Sequence, residues 1–486
     1  MNTPLLIVTA LLLAAPATLH AAPPAKPGAK PNIVFVLADQ WRASAFGFEG
    51  DPNVKTPHLD RLAARSVRFA NAVSVCPVCT PYRAALMTGR NPTSTGMFVN
   101  DLYLPDAELC MAEIFKAAGY DTAYIGKWHL DGHGRSSHIP PQRRQGFEYW
   151  KAAECEHNYN HSHYYADTSP QKQFWPGYDA FAQTADAQQY LRKRTPSDKP
   201  FLLFMAFGPP HFPHATAPPE FKAIYQPDKL TLAPNVPASS AAGVRRELAG
   251  YYAHCSALDK CLGDLLATLR DTGLAANTIV VFTSDHGEMM GSHSVAPLNK
   301  QWPYDESARI PFLLRLPQVP ARIVTTPLGT TDILPTLLGL TGVAVPKTIE
   351  GEDLSTVVAG SGAERDRAVL TMSVSPFIPH LVEYRAIRTN RYSYVRNLAG
   401  PWLMFDNQSD PGQMHNLANE PAAAALREKL DTQLQAELRN IGDDFQPRQY
   451  YLDKWGYTVA QHGSISYGPN AKMQTPRPSA NKLPLK

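Results

Sequence analysis

Four short runs of the chain, residues 33–38, 122–125, 201–207 and 278–283, are almost continuously apolar and rich in β-branched and aromatic residues. Runs without polar alternation are what strands buried on both faces by helix layers look like. Each run ends in polar or glycine residues: Asp39, Gly126-Lys127, Gly208 and Ser284-Asp285. Between them, apolar residues recur with helical spacing over residues 58–66, 83–88, 109–118 and 247–270, the last closed by Gly273. Strands alternating with helices predict an α/β fold with a mainly parallel or mixed central sheet between helix layers. Ligands of such sheets bind beyond the carboxyl ends of the strands, where Asp39 and Asp285 both fall.

Residues 346–367 turn to Gly, Pro, Ala and charge, a candidate boundary. Beyond it, residues 383–395 and 402–405 read as short strands and 420–438 as an amphipathic helix, predicting a small C-terminal antiparallel sheet with one covering helix. The expected division is a catalytic domain over residues 31–360 and a C-terminal subdomain with an extended tail over 361–486. The tail from Gly463, with few large apolar residues, is expected to lie over the surface.

At the other end, residues 5–15 form an apolar stretch too short to span a bilayer, followed by small residues around Ala21-Ala22. Residues 1–21 therefore read as a secretory signal and 22–30 as a linker, which places the protein in a periplasm or outside the cell. No later run is long and apolar enough for a membrane span.

Charge narrows the partners. With 46 Lys+Arg against 43 Asp+Glu, the chain lacks the concentrated basic excess of a nucleic-acid binder. Charged residues are only 18% and hydrophobic ones 44%, so a large core forms and disorder over most of the length is excluded. The 44 prolines and 30 glycines imply many turns and long connections, as in a loop-rich enzyme. Six cysteines in so long a chain are no disulfide scaffold. Cys76 and Cys79 form a C-x-x-C pair, but no second pair exists to complete a zinc site.

The most specific segment is Cys79-Thr80-Pro81-Tyr82-Arg83, followed by Thr88-Gly89-Arg90. It resembles the C-x-P-x-R…T-G-R motif of type I sulfatases, members of the alkaline phosphatase superfamily. The resemblance implies that a formylglycine-generating enzyme oxidises Cys79 to formylglycine, whose aldehyde hydrate is the nucleophile. A thiol or serine would leave a stable sulfate ester, whereas a geminal diol attacks through one hydroxyl and expels sulfate through the other. Cys79 is expected just before a helix opening near Arg83, where free N–H groups favour an oxyanion, with Arg83 one turn away holding the hydrate.

Further segments join the resemblance. Gly119-Tyr120-Asp121-Thr122 through Gly126-Lys127-Trp128-His129 matches G-Y-x-T-x-x-x-G-K-W-H, implying that Lys127 bridges nucleophile and sulfate and that His129 holds or deprotonates the hydrate. Pro210-His211-Phe212-Pro213 matches P-H-x-P, implying His211 as donor to the ester oxygen. Lys300 matches the lysine that clamps sulfate. Asp39, Gln40, Asp285 and His286, with Cys79, would hold a divalent metal. Carboxylates and an amide carbonyl suit calcium, while His286 leaves magnesium, manganese or zinc open. The stretch from His157 to Tyr165, with His161, has groups that hydrogen-bond and stack on sugars, and Asn100-Asp101 is a similar candidate for substrate contact.

The resemblance runs from Pro31 to about Leu417 and implies hydrolysis of a sulfate monoester on a small molecule or a saccharide; the groups from His157 to Tyr165 and the modest net charge point to exo action on a terminal sulfated saccharide. Two other readings compete: a phosphonate or phosphate monoester hydrolase of the same superfamily, which Asp39-Gln40-Trp41-Arg42 resembles, and an inactive carbohydrate-binding relative, against which the full set of catalytic residue types argues. The sequence specifies no oligomeric state.

Overall fold

The computed structural model describes residues 30–460, 463–466 and 473–475. The secretory signal and nearly all of the linker lie outside the described residues. Ten strands form the central sheet: β1 (Asn32–Asp39), β2 (Val67–Phe69), β3 (Asp121–Lys127), β4 (Tyr149–Ala153), β5 (His163–Ala166), β6 (Gln173–Phe174), β7 (Phe201–Pro210), β8 (Thr278–Ser284), β9 (Phe312–Arg315) and β10 (Arg322–Val324). Their spatial order is β10-β2-β9-β8-β1-β7-β3-β4-β5-β6. The centre, from β8 to β4, is parallel. β9, β5 and β6 join it antiparallel, so the sheet is mixed.

The continuous apolar runs are explained by burial on both faces. Ile33, Phe35 and Leu37 of β1 belong to one apolar cluster, and Val34, Val36 and Ala38 to another. The first cluster includes α2 (Cys79–Thr88), α3 (Met111–Ala117) and α6 (Thr330–Leu340); the second includes α1 (Pro57–Ala63), α4 (Asp179–Arg192) and α5 (Ala241–Asp271). α5 is 31 residues long and begins six residues before the expected start, because its first turn is Ala- and Gly-rich and carries no apolar stripe of its own.

The C-terminal sheet is antiparallel in the order β11 (Val369–Ser373), β12 (Tyr384–Arg388), β13 (Tyr392–Asn397), β14 (Gly400–Asp406), and α7 (Ala424–Asn440) packs on it. The run read as one strand over 383–395 is a hairpin: Thr389 N donates to Tyr392 O across a turn of polar residues, Thr389-Asn390-Arg391. Leu430, Leu434 and Leu438 of α7 share the apolar cluster that contains Ile33. Ile465 of the tail is buried in the same cluster, and Gln474 O accepts from Tyr103 N on the surface. Among the described residues no helix is long and apolar enough to cross a membrane. All six cysteines are unpaired and buried.

Gly126, one residue before the end of β3, has φ +113°, and a Cβ there would stand 2.0 Å from Ala206 O on β7. Gly50 has φ +88° but open space around it. Gly126→Ala is therefore expected to cost more than about 3 kcal/mol, against about 1 kcal/mol for Gly50→Ala, where only the backbone penalty applies. Denaturant titration of the two variants checks this; equal losses would show that β3 and β7 can separate.

Candidate active site

Four neighbouring strands, β8, β1, β7 and β3, end side by side, and each delivers polar residues at its carboxyl end. β8 is followed by Asp285 and His286. β1 ends in Asp39 and is followed by Gln40. β7 is followed by His211. β3 ends in Lys127, with His129 two residues on. Strands lie about 4.8 Å apart, so residues distant in sequence converge within a few side-chain lengths. All of these side chains are buried.

Cys79 arrives from α2. The helix begins at Cys79 itself, not near Arg83 as expected, because Pro81 falls in the first turn, where a missing N–H costs nothing, and Asn100 Oδ1 accepts from Thr80 N at 2.9 Å. This spends the Asn100 carbonyl oxygen on the helix start. Thr80 Oγ1 donates to His129 O at 3.0 Å and accepts from Asp101 N at 3.2 Å, tying the helix start to two site segments. Cys79 is 1% exposed.

Its sulfur meets a ring of charge. Sγ lies 3.6 Å from Asp39 Oδ1, 3.5 Å from His286 Nε2, 3.8 Å from Lys127 Nζ and 3.6 Å from Lys300 Nζ. Burial and Asp39 raise the thiol pKa, but the Lys127 and Lys300 ammoniums and a hydrogen bond from His129 outweigh them and hold it well below the ordinary value. Lys127 Nζ donates to Asp39 Oδ2 at 2.7 Å. Arg83, 1% exposed, donates to Asp39 Oδ2 at 3.1 Å, to Asp285 Oδ2 at 3.4 Å and to Lys127 O at 2.7 Å. Burial raises the Asp39 pKa, but Lys127 and Arg83 drive it well down. Asp285, by contrast, is pushed up by burial and by the like charge of Asp39.

Asp39, Cys79, Asp285 and His286 each offer one ligand atom, and these atoms lie within 4.8 Å of one another. Two carboxylates, an imidazole and a sulfur converging in a buried space fit a divalent cation. Gln40 N donates to Asp285 Oδ1 at 2.9 Å; its side chain accepts from Lys300 Nζ at 3.0 Å and donates to Glu288. Gln40 thus stands beside the cluster with its amide engaged, in a left-handed conformation at φ +65°.

Lys300 Nζ also lies 3.0 Å from His211 Nε2, and His211 Nδ1 lies 2.8 Å from Phe212 O. Burial and the Lys300 ammonium push the His211 pKa far below its ordinary value, so the ring is neutral. His157 stacks on His211 at 4.4 Å between ring centres and lies 3.6 Å from Cys155 Sγ. His161 is exposed and stacks on Phe174, and among the described residues none of its contacts is with the cluster.

Several residues escape a reading by motif. Asp101 Oδ1 lies 3.1 Å from His129 Nε2, while Arg135 grips the same carboxylate through two bonds of 2.8 Å. The sequence singles out Asp101 with Asn100 for substrate contact; the structure turns its carboxylate to His129 and Arg135 instead. Glu288 takes the Gln40 amide and three backbone N–H groups, and its signal is an acid three residues after Asp285. Cys155 has no sequence signal; burial opposes its ionisation, yet Lys127, His129 and His157 bring its pKa to about 5.

Residues 31–343 match the sulfatase family model, and residues 291–440 match the C-terminal model of N-sulphoglucosamine sulphohydrolase. The chain belongs to the sulfatase family. The ulvan-active sulfatase of Formosa agariphila is 52% identical over 439 residues, covering 89% of this chain and 86% of that protein. Among solved structures, the sulfatase-family protein yidJ of Bacteroides fragilis superposes with a TM-score of 0.79 at 31% identity, covering 87% of this chain and 98% of that one. The phosphonate monoester hydrolase of Agrobacterium radiobacter, at 22% identity and a TM-score of 0.68, covers 85% of this chain and 96% of its own and shares the alkaline-phosphatase-like fold. The sulfatase is accordingly a sulfuric ester hydrolase, and its cluster of buried cations is what such an anionic reaction demands.

Burial and Lys127 lower the His129 pKa, but Cys155, Asp101 and Cys79 raise it to about 9 overall. Asp101→Asn keeps the shape but removes the charge that fixes the ring, and is expected to lower kcat about 10²-fold with KM changed less than about threefold. Steady-state kinetics on a small aryl sulfate, with melting temperature as the control for folding, makes the comparison; a loss confined to KM would refute the assignment.

Proposed function

We propose that this sulfatase hydrolyses a sulfate monoester on a sulfated saccharide, with Cys79 as formylglycine and one divalent metal, calcium in the first instance, held by Asp39, Gln40, Asp285 and His286. The observation that carries the reading is the position of Cys79 at the first turn of α2, within 3.8 Å of two ammoniums and beside two metal-type ligands. When present, the metal and the aldehyde hydrate supply Lewis-acid charge neutralisation and a second hydroxyl for release of sulfate.

The remaining work falls to this chain's own side chains. Arg83 and Lys127 neutralise Asp39 and leave donors facing position 79. Net hydrolysis adds water across the ester S–O bond, so the departing alcohol oxygen must gain a proton. His211 is kept neutral by burial and the adjacent Lys300 ammonium, and a sulfate between the two offsets that ammonium and lets the imidazole hold a proton at Nε2. Lys300 then clamps sulfate oxygens. His129, fixed by Asp101 and held protonated, faces the nucleophile from the other side and holds it by donating a hydrogen bond. His157, stacked on His211, forms the wall where the sugar enters. The saccharide reading draws support from the 52% identity to an ulvan-active sulfatase. Export through residues 1–21 and maturation by a formylglycine-generating enzyme complete the proposal.

A second reading, phosphonate or phosphate monoester hydrolysis, is favoured by Asp39-Gln40 and by the shared fold. Comparing kcat/KM on sulfated oligosaccharides, an aryl sulfate and an aryl phosphonate separates the two. The sulfated saccharides are expected to lead, since remote binding energy lowers the barrier, and a preferred phosphonate would replace the sulfatase chemistry.

Protein produced with a maturation enzyme should show aldehyde or hydrate mass at Cys79 and an unaltered thiol at Cys76, which lacks the Pro and Arg register. An active preparation with unmodified Cys79 contradicts the proposal. Asp285→Ala should lose bound metal and sulfate release together, and full metal occupancy in that variant would remove Asp285 from the ligand set.

A further inference from the structure

A groove of roughly 550 Å³ opens between the first turns of α5 and the loop of residues 291–298. Its volume lies within the range of about 300–1,000 Å³ typical of small-ligand sites. Val244, Arg246 and Glu247 line one side, Ser294 and Leu298 the other. α5 connects β7 to β8, which are parallel, so its amino end lies at the carboxyl edge of the sheet, the same edge that carries the active site.

Both walls are built on segments that deliver catalytic candidates. Glu247 Oε2 lies 2.9 Å from His214 Nδ1, three residues beyond His211. Leu298 is two residues before Lys300. Glu288, whose other oxygen takes the Gln40 amide, anchors the loop by accepting from Met290 N at 3.0 Å, Leu298 N at 2.9 Å and Asn299 N at 3.2 Å. Met290, just before this loop, and His293, Ser294 and Leu298 within it are left-handed at φ +46°, +56°, +63° and +71°. Such conformations cost free energy and persist where the surroundings impose them, as at ligand-holding sites.

The groove also carries a cation at its rim. Arg246 is exposed and no side-chain hydrogen bond holds its guanidinium among the described residues; its charge bears on the neighbouring Glu247, whose carboxylate is engaged by His214. Leu298, 37% exposed, and the buried Val244 give the two walls apolar surface suited to the C–H face of a sugar ring.

We infer that this groove binds the sugar residue next to the sulfated one and that Arg246 pairs with an anionic group on it, a carboxylate or a second sulfate. This rests on the saccharide reading of the active site. A guanidinium forms two parallel bonds to either anion, so the chemistry is shared and the source is for experiment to assign.

The test uses three disaccharides bearing the same scissile sulfate, whose neighbouring sugar is neutral, carboxylated or sulfated, together with an aryl sulfate. Arg246→Ala should cut kcat/KM on at least one anionic disaccharide about tenfold relative to the neutral one, and the substrate affected names the anion. Arg246→Lys should recover part of that loss. Ala296→Trp, which fills the groove from its exposed rim, should depress all three disaccharides against the aryl sulfate. An Arg246→Ala effect equal on neutral and anionic substrates, or an Ala296→Trp variant that cleaves all four alike, overturns the inference. Wild-type enzyme that cleaves the aryl sulfate but none of the disaccharides refutes the saccharide reading instead.

Discussion

Two carboxylates that repel each other, Asp39 and Asp285, are forced together because they terminate adjacent parallel strands. Strand pairing leaves them no room to separate, and both have no exposed surface. Uncompensated, two such buried charges would cost several kcal/mol each. Arg83 bridges the pair and Lys127 adds a second cation to Asp39. The direction of α2 follows from that requirement. Arg83 reaches both acids only if its helix points its first turn into the cleft, and residue 79, one turn earlier, is thereby carried to the same place.

The electrostatics of the cleft are those of an anion receptor kept in balance. Arg83, Lys127 and Lys300 oppose Asp39 and Asp285, and each is under 10% exposed. The directions of the pKa shifts agree: the Cys79 thiol is driven down, the Arg83 guanidinium is held charged, and His211 is kept neutral by its lysine neighbour. Low dielectric strengthens every one of these terms, so a single sulfate entering the cleft alters several protonation states together.

Much of this was readable in advance because the chemistry is written at strand ends. The continuous apolar runs marked β1, β3, β7 and β8, and the residues that close them are the ones the fold gathers. Short edge strands such as β6 and β10 had no such signature, since two or three residues carry no period. The turn between β12 and β13, Thr389-Asn390-Arg391, is short and polar, but the strands beside it carry arginines and a serine of their own, so composition did not set it apart. Arg135, Cys155 and the part played by Asp101 were harder still. Each acts on another side chain rather than on a ligand, so its meaning lies in a contact made across the fold and in no local pattern. Asn100 shows the converse: chosen for its polar chemistry, it has its carbonyl oxygen turned to the start of α2.

The burial of Cys79 also sets a clock. A sulfur that is 1% exposed, at the inner end of a helix packed against α6, is out of reach of any second enzyme once the sheet has closed. Closure requires the strand ends up to Lys300, which follows Cys79 by 221 residues. At synthesis rates of roughly 5–20 residues per second, the interval between those two positions is about 10–40 s. Covalent change at this cysteine therefore competes with folding, and sequences that slow closure of the late strands lengthen the time in which it can happen.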